Sequence, residues 1–269
     1  MRPASLHSKR EIEAVLRRNV CLNLCAIGDL DDFFWPHTVG YGLEDAGSVV
    51  DVALLYVATD SPTLLALGEP CSATMPELLR MLQSLLPARF YSHVNPESIP
   101  ILSKTHCPST HGLHYKMALT DRARLCDVDT AQVVPLSVRD LAEAERLYGE
   151  SYPGNWFDAR MLQTGCYRGI RIGGRLVSIA GVHVHSPEYK VAALGNITTH
   201  TDFRGRGLGK TVTAGLCKAL LASVEHIGLN VKCDNAAALA CYEAIGFERV
   251  ADYEECAFEF VKGKGLSHE

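Results

Sequence analysis

No apolar run in this 269-residue chain reaches the roughly 18–20 residues that a membrane helix needs, so a membrane partner is not expected. No block of Lys and Arg occurs either. With 26 basic and 31 acidic side chains the formal charge is −5, which removes the electrostatic basis of nonspecific nucleic-acid binding. No secretory leader is expected, because the opening MRPASLHSKREIE turns charged and helical too early for one, and the expected compartment is the cytoplasm. Ten cysteines are present, but the paired short spacings of a zinc site are not. Cys21, Cys25, Cys217 and Cys241 fall in segments of helical apolar periodicity, where a thiol behaves as a small hydrophobe; all are expected reduced. His106, Cys107, His111 and His114 form a metal-like grouping without paired spacing, so no metal is expected. What the chain does have is apolar material, 47% of its residues, enough for one large domain or two small ones.

The first half opens with Ser8-x-x-Glu11, a capping box ahead of Ile12, Val15, Leu16 and Val20 at helical spacing. Strand-like runs follow at 35–43, 49–58 and 63–67. A second box, Thr74-x-x-Glu77, starts a helix carrying Leu78, Leu82, Leu85 and Leu86, which Pro87 stops. A strand near Phe90, a short helix after Asn95 and a strand over 114–119 complete this half. The polar stretch 120–130 reads as the boundary.

The second half repeats that order. A strand at 132–135 leads to Ser137-x-x-Asp140 and a helix with Leu141, Ala144 and Leu147; a further helical stretch covers 156–162. Strands are predicted over 166–172, 176–185 and 191–199, then a helix over 207–225, a strand over 228–233, a helix over 235–244 and a strand over 247–260. The matching order suggests an old duplication.

The chemistry is concentrated in Asn196-Ile-Thr-Thr-His-Thr-Asp-Phe-Arg-Gly-Arg-Gly-Leu-Gly-Lys210. A β-branched strand ends at His200, and Arg204-x-x-Gly207-x-Gly209 opens a long helix. Glycines permit close backbone approach, the first-turn amides are unpaired, and the helix dipole favours a phosphate there. Arg206 and Lys210 add formal charge. A P-loop is excluded because Arg204 stands where its first glycine belongs, and the spacing of Gly205, Gly207 and Gly209 does not fit the dinucleotide fingerprint. Downstream, Asn235 suits a helix N-cap, Gly246 suits the C′ position, and Tyr242 lies two turns into the helix.

The two motifs, in this order and at this distance, resemble the GNAT superfamily of GCN5-related, acyl-CoA-dependent N-acetyltransferases. The resemblance covers 131–260 directly. It implies an α/β (α+β) fold with a mixed, mostly antiparallel sheet flanked by helices, present twice: a degenerate GNAT-like domain at 1–122, with Thr74 to Glu77 in place of the glycines, and a catalytic domain at 131–269. It further implies acetyl-CoA as cosubstrate. The backbone of Ile197, Thr198 and Thr199 would pair with the pantetheine arm, and the Arg204 turn, through the amides of Gly205, Arg206, Gly207, Leu208, Gly209 and Lys210, would hold the pyrophosphate. Asn235 would touch the cofactor near the pantetheine, and Tyr242 would protonate the leaving thiolate, as a phenol can.

A general base is harder to place. Some family members carry Glu five positions before the residue equivalent to Asn235; here that position is Asn230, which cannot act as a base. His183, His185, His200, Glu150 and a water chain remain. The expected function is transfer of an acetyl or short acyl group to a primary amine of a small molecule or amino acid. The alternative is a non-catalytic acyl-CoA-binding or regulatory protein.

Overall fold

The structure, a computed structural model, describes residues 1–261. In chain order the first half forms β1 (Arg2–Leu6), α1 (Lys9–Leu16), α2 (Val20–Gly28), β2 (Thr38–Asp45), β3 (Ser48–Tyr56), β4 (Thr63–Ala66), α3 (Thr74–Leu82), β5 (Arg89–Val94), α4 (Ile99–Leu102) and β6 (His106–Leu119). The second half adds β7 (Val133–Leu136), α5 (Leu141–Ser151), β8 (Tyr167–Ile172), β9 (Arg175–Ser186), β10 (Val191–Thr199), α6 (Leu208–Leu220), β11 (His226–Lys232), α7 (Ala236–Glu243) and β12 (Phe247–Phe260). Among the described residues no helix is long and apolar enough to cross a membrane.

Two compact units emerge: Met1–Tyr115 together with the segment from Ala251, and Lys116–Val250. This differs from the sequence-based division at 1–122 and 131–269. The chain changes unit inside β6 and again inside β12, whose residues Glu254 to Glu259 pair antiparallel with Val94 to Arg89 of β5. Residues 120–130 belong to the second unit and bury Leu125 and Val128. Gly246 fixes them: at φ +96° its amide neighbourhood lies so close to Asp121 that an added Cβ would sit 2.0 Å from the Asp121 carbonyl oxygen. The final residues of the expected second domain, 262–269, lie outside the described residues.

In the first unit the strand order is β1-β2-β3-β4-β5-β12-β6, with β4 and β5 parallel over four residues and β1 to β4 antiparallel. Leu78, Leu79 and Leu82 of α3 close the core against Phe90, Val94, Cys256 and Phe258. Ser8 caps α1 as its spacing predicts, accepting from the Glu11 N–H. The Thr74 box does not form. Ala73 occupies the cap position, and Thr74 donates its hydroxyl at 2.8 Å to Asp51, a largely buried carboxylate that needs the donor. Past the β4–β5 pair, the Asn95 amide bridges the Gly68 N–H and carbonyl, holding the strand ends together. On the other face, Tyr91 and Tyr253 both donate to Glu255, with the Nε2 atoms of His93 and His114 each 3.6 Å from its oxygens. The metal-like grouping is dispersed: His106 turns to the Pro87 carbonyl, and Cys107 is exposed.

The second unit repeats the pattern in the order β7-β8-β9-β10-β11-β6, antiparallel from β7 to β10 and parallel between β10 and β11. Ser137 and Asp140 form the complete capping box on a 3-10 turn that runs into α5. Leu147, Tyr148, Tyr167 and Ile179 form the core under α5. The stretch expected to be helical at 156–162 is instead a 3-10 helix, Ala159–Thr164, capped by Asp158 and ended by Gly165 at φ +68°.

Candidate active site

β10 and β11 lie parallel only from Val191 opposite His226 to Leu194 opposite Leu229. On its other edge β10 bulges between Gly195 and Thr198, then rejoins β9 with Thr198 opposite Ile179 and Thr199 opposite Ser178. A bulge inserts an extra residue and bends the strand, so the last residues of β10 leave their parallel neighbour. Ile197, Thr198 and Thr199 therefore present one backbone edge without a β11 partner. Asn196, inside the bulge, sits at φ +54°. The Thr199 hydroxyl is 2.8 Å from that of Ser178, which anchors the strand end.

Beyond β10 the chain turns sharply. His200 caps a one-turn 3-10 helix, Thr201–Phe203. Arg204 then ties the turn down, donating to the Thr199 carbonyl at 3.1 Å and the Ser151 carbonyl at 3.2 Å. Gly205 and Gly207 take φ +74° and +75°, where a Cβ would be strained although nothing lies within 4 Å. Leu208 buries its side chain, and α6 closes its first bond from the Thr211 N–H to the Gly207 carbonyl. Among the described residues no backbone acceptor outside the helix takes the N–H groups of 205–210. The turn thus gathers backbone donors at a helix N-terminus, an arrangement chemically suited to an anion. Arg206 is less available than its charge suggests: it donates to the Asp202 carbonyl and lies over the Phe203 ring at 5.0 Å. Lys210 is exposed.

α7 completes the site. Asn235 caps it, accepting from the Ala238 N–H at 3.2 Å through its side-chain oxygen. Gly209 links the pieces: a Cβ there would lie 3.5 Å from Thr199 Oγ1 and 4.0 Å from Cys241 Sγ, so the end of β10, the start of α6 and α7 meet at this glycine. Tyr242 follows Cys241 and is buried, its ring tilted against Phe247. Burial pushes its phenol above the ordinary range, with Cys241, Tyr152 and Cys217 adding to the shift, so the hydroxyl keeps its proton. Burial also pushes the Cys241 thiol up to about 11, against the opposing pull of Lys210.

The four proton-acceptor candidates separate on geometry. His200 is built into the loop: its Nδ1 accepts from the Asp202 N–H, and Nε2 faces Arg175 and Glu150. Glu150 is itself ion-paired with Arg175 at 2.7 Å. His185 faces Ser223, beyond the far end of α6. His183 lies over Gly195, where the strand begins to part, with its ring 6.1 Å from that of the exposed Trp156. Asn230 is engaged by the buried Lys116, which donates to its side-chain oxygen at 3.3 Å. Asn196, Tyr148, Tyr167 and Trp156 escaped the sequence reading. The only local signal was Asn196 itself, since Asn tolerates positive φ better than most residues.

Residues 167–257 match the family model described as FR47-like protein. The N-alpha-acetyltransferase RimI of Mycobacterium tuberculosis is 38% identical over 88 residues, 31% of this chain. The chain spans 52% of the length of RimI and 34% of another curated relative. An acetyltransferase from the GNAT family of Colwellia psychrerythraea superposes with a TM-score of 0.56 over 97% of this chain and 100% of its own, at 14% identity. A tandem GNAT protein from the clavulanic acid biosynthesis pathway superposes with a TM-score of 0.55 over 99% of both chains, at 15% identity. The chain therefore has the fold of these GNAT structures, in two units, and residues 167–257 of the second match the FR47-like family model.

Proposed function

We propose that the second unit transfers an acetyl or other short acyl group from CoA to a primary amine of a small molecule or amino acid, by direct attack. The observation that carries this reading is the open turn at 205–210, beside a strand whose last residues have lost their parallel neighbour. Acetyl-CoA would supply an activated thioester and a pyrophosphate. The amides of Gly205, Arg206, Gly207, Leu208, Gly209 and Lys210 suit the pyrophosphate; the backbone of Ile197, Thr198 and Thr199 suits the pantetheine arm; Asn235 stands beside them at the start of α7. Arg204 braces the turn rather than binding the ligand.

The chain's own groups divide the chemistry. The backbone N–H groups beside Thr198 and Thr199 polarise the thioester carbonyl. The amine nitrogen forms the new C–N bond, the C–S bond breaks, and Tyr242 gives its proton to the departing sulfur. His183, alone among the four candidates in standing beside the parting strands, receives the proton the amine loses. A cysteine nucleophile is disfavoured, because burial holds the Cys241 and Cys217 thiols protonated at neutral pH.

Thermal melts with CoA test the cradle: at a hundredfold excess over Kd, binding adds about 2.7 kcal/mol. An unchanged melt at millimolar CoA overturns the assignment. Free-thiol release from acetyl-CoA across a panel of amines tests catalysis, and a melt shift without thiol release from any amine would leave a binding protein instead.

A further inference from the structure

The bulge in β10 is held by three buried side chains that no motif describes. Of the four described non-glycine residues at positive φ, Ala46, Cys71 and Lys190 lie exposed in turns, whereas Asn196 is 5% exposed and inside a strand. A left-handed residue inside a strand persists only if its surroundings fix it. Here they do. The Tyr148 hydroxyl, from α5, donates to the Asn196 carbonyl at 2.8 Å. The Asn196 side-chain amide donates to the Tyr167 hydroxyl at 3.1 Å and towards the Trp156 carbonyl at 3.4 Å. Tyr167 can stand there because position 181 is glycine: an added Cβ would lie 2.1 Å from its ring. Burial keeps both phenols protonated, so Tyr148 remains a donor at any working pH.

We infer that Tyr148, Asn196 and Tyr167 are positioning residues that set the direction of the Asn196–Ile197 peptide and thereby of the unpaired backbone edge of Ile197 to Thr199. The peptide is planar and trans, so its C=O and N–H point in opposite directions. Holding the Asn196 oxygen on Tyr148 therefore turns the Ile197 N–H away from α5. Losing that hold lets the peptide rotate and blurs the edge on which the acyl group would be placed. The role rests on the acyl-transfer reading for its effect on rate, but the backbone effect is independent of it. The pyrophosphate turn, eight or more residues further on, keeps its own braces.

Tyr148→Phe, Asn196→Ala and Asn196→Gly in the full chain test this. Tyr148→Phe and Asn196→Ala should each lower kcat by about tenfold or more, the kinetic equivalent of roughly one net hydrogen bond. KM for acetyl-CoA and the CoA-induced melt shift should stay near wild type. The double variant Tyr148→Phe/Asn196→Ala should be no slower than the worse single variant, because both release the same peptide. Asn196→Gly should recover part of the loss, since glycine takes φ +54° without strain. Hydrogen exchange in 195–200 should accelerate in Tyr148→Phe while the 205–210 segment is unchanged. Unaltered exchange in 195–200, or a kcat loss matched by loss of CoA binding, would overturn the inference. A wild type that releases no thiol, with exchange in 195–200 still controlled by Tyr148, would sink the acyl-transfer reading and leave the peptide-holding role standing.

Discussion

Gly207 and Gly209 stand two residues apart in one turn, yet alanine should act on them in opposite directions. Gly207 sits at φ +75° with open space around it, so a methyl group there meets nothing. Its cost is purely conformational, about 1–2 kcal/mol for forcing an L-residue into the left-handed region. Gly209 lies inside α6 without a positive φ, and its added Cβ would make ordinary contacts at 3.5 Å and 4.0 Å. Alanine there should gain about 0.5–1 kcal/mol from reduced chain entropy. With roughly 2–4 °C of melting temperature per kcal/mol in a domain of this size, Gly207→Ala should melt lower and Gly209→Ala slightly higher than wild type. The methyl group of Gly209→Ala faces Thr199 and Cys241, the wall of the proposed cofactor site, so this variant should be more stable and yet show a smaller shift with CoA. Paired melts with and without CoA read both quantities. A Gly207→Ala variant as stable as wild type, or a Gly209→Ala variant that melts lower, would refute the reasoning.

Tyr242→Phe should lower turnover by roughly 10²–10⁴-fold, the span for a positioned acid, with acetyl-CoA binding retained in calorimetry. Cys233 lies between the end of β11 and Asn235, the cysteine nearest the α7 cap in sequence, and Cys233→Ala should keep turnover within a few-fold of wild type; a covalent acetyl adduct in mass spectra would instead favour a ping-pong route. For Glu255, burial pushes the carboxyl up, but His93, the two tyrosine hydroxyls and His114 outweigh it and hold the group below its ordinary value. The stability it contributes is thus present above its unfolded pKa, about 4.3, and lost as pH falls through the folded value. Glu255→Gln should flatten the acid limb of a stability–pH curve, and an unchanged limb would remove this carboxylate from the account. Asp29 behaves oppositely: burial pushes its carboxyl up to about 8, so the folded state loses stability as pH rises from about 4 towards 8. Asp29→Asn should raise the melting temperature at pH 8 and leave it unchanged at pH 4.

Local chemistry made most elements legible, because each advertises itself within a few residues. Asn235 and Gly246 mark both ends of α7, and the Ser137–Asp140 box marks the start of the segment that becomes α5. The failures share one cause: a distant group claimed the residue. Thr74 has the spacing of a cap, but Asp51, 23 positions earlier in sequence, takes its hydroxyl. The 156–162 stretch has helical spacing, but the Trp156 carbonyl accepts from Asn196 and the segment tightens to 3-10 geometry. The left-handed turn ahead of α6 could be read from its glycines. The bulge that opens the strands could not, since its determinants lie on α5, β8 and β10 and only the folded chain brings them together.

The path of β12 has a consequence for how the protein is made. Tyr91 meets Glu255 across 164 positions of sequence, so the first unit's sheet is finished by a strand synthesised long after its neighbours. The second unit is one uninterrupted stretch, Lys116–Val250, and has every residue it needs before the part of β12 that pairs with β5, Glu254 to Glu259, exists. Contacts this far apart close late and slowly. On a growing chain the second unit would therefore mature first, while β5 waits with a bare edge of the kind that recruits stray strands. A stop codon near position 250 would thus leave the residues of the second unit intact and do its damage in the first.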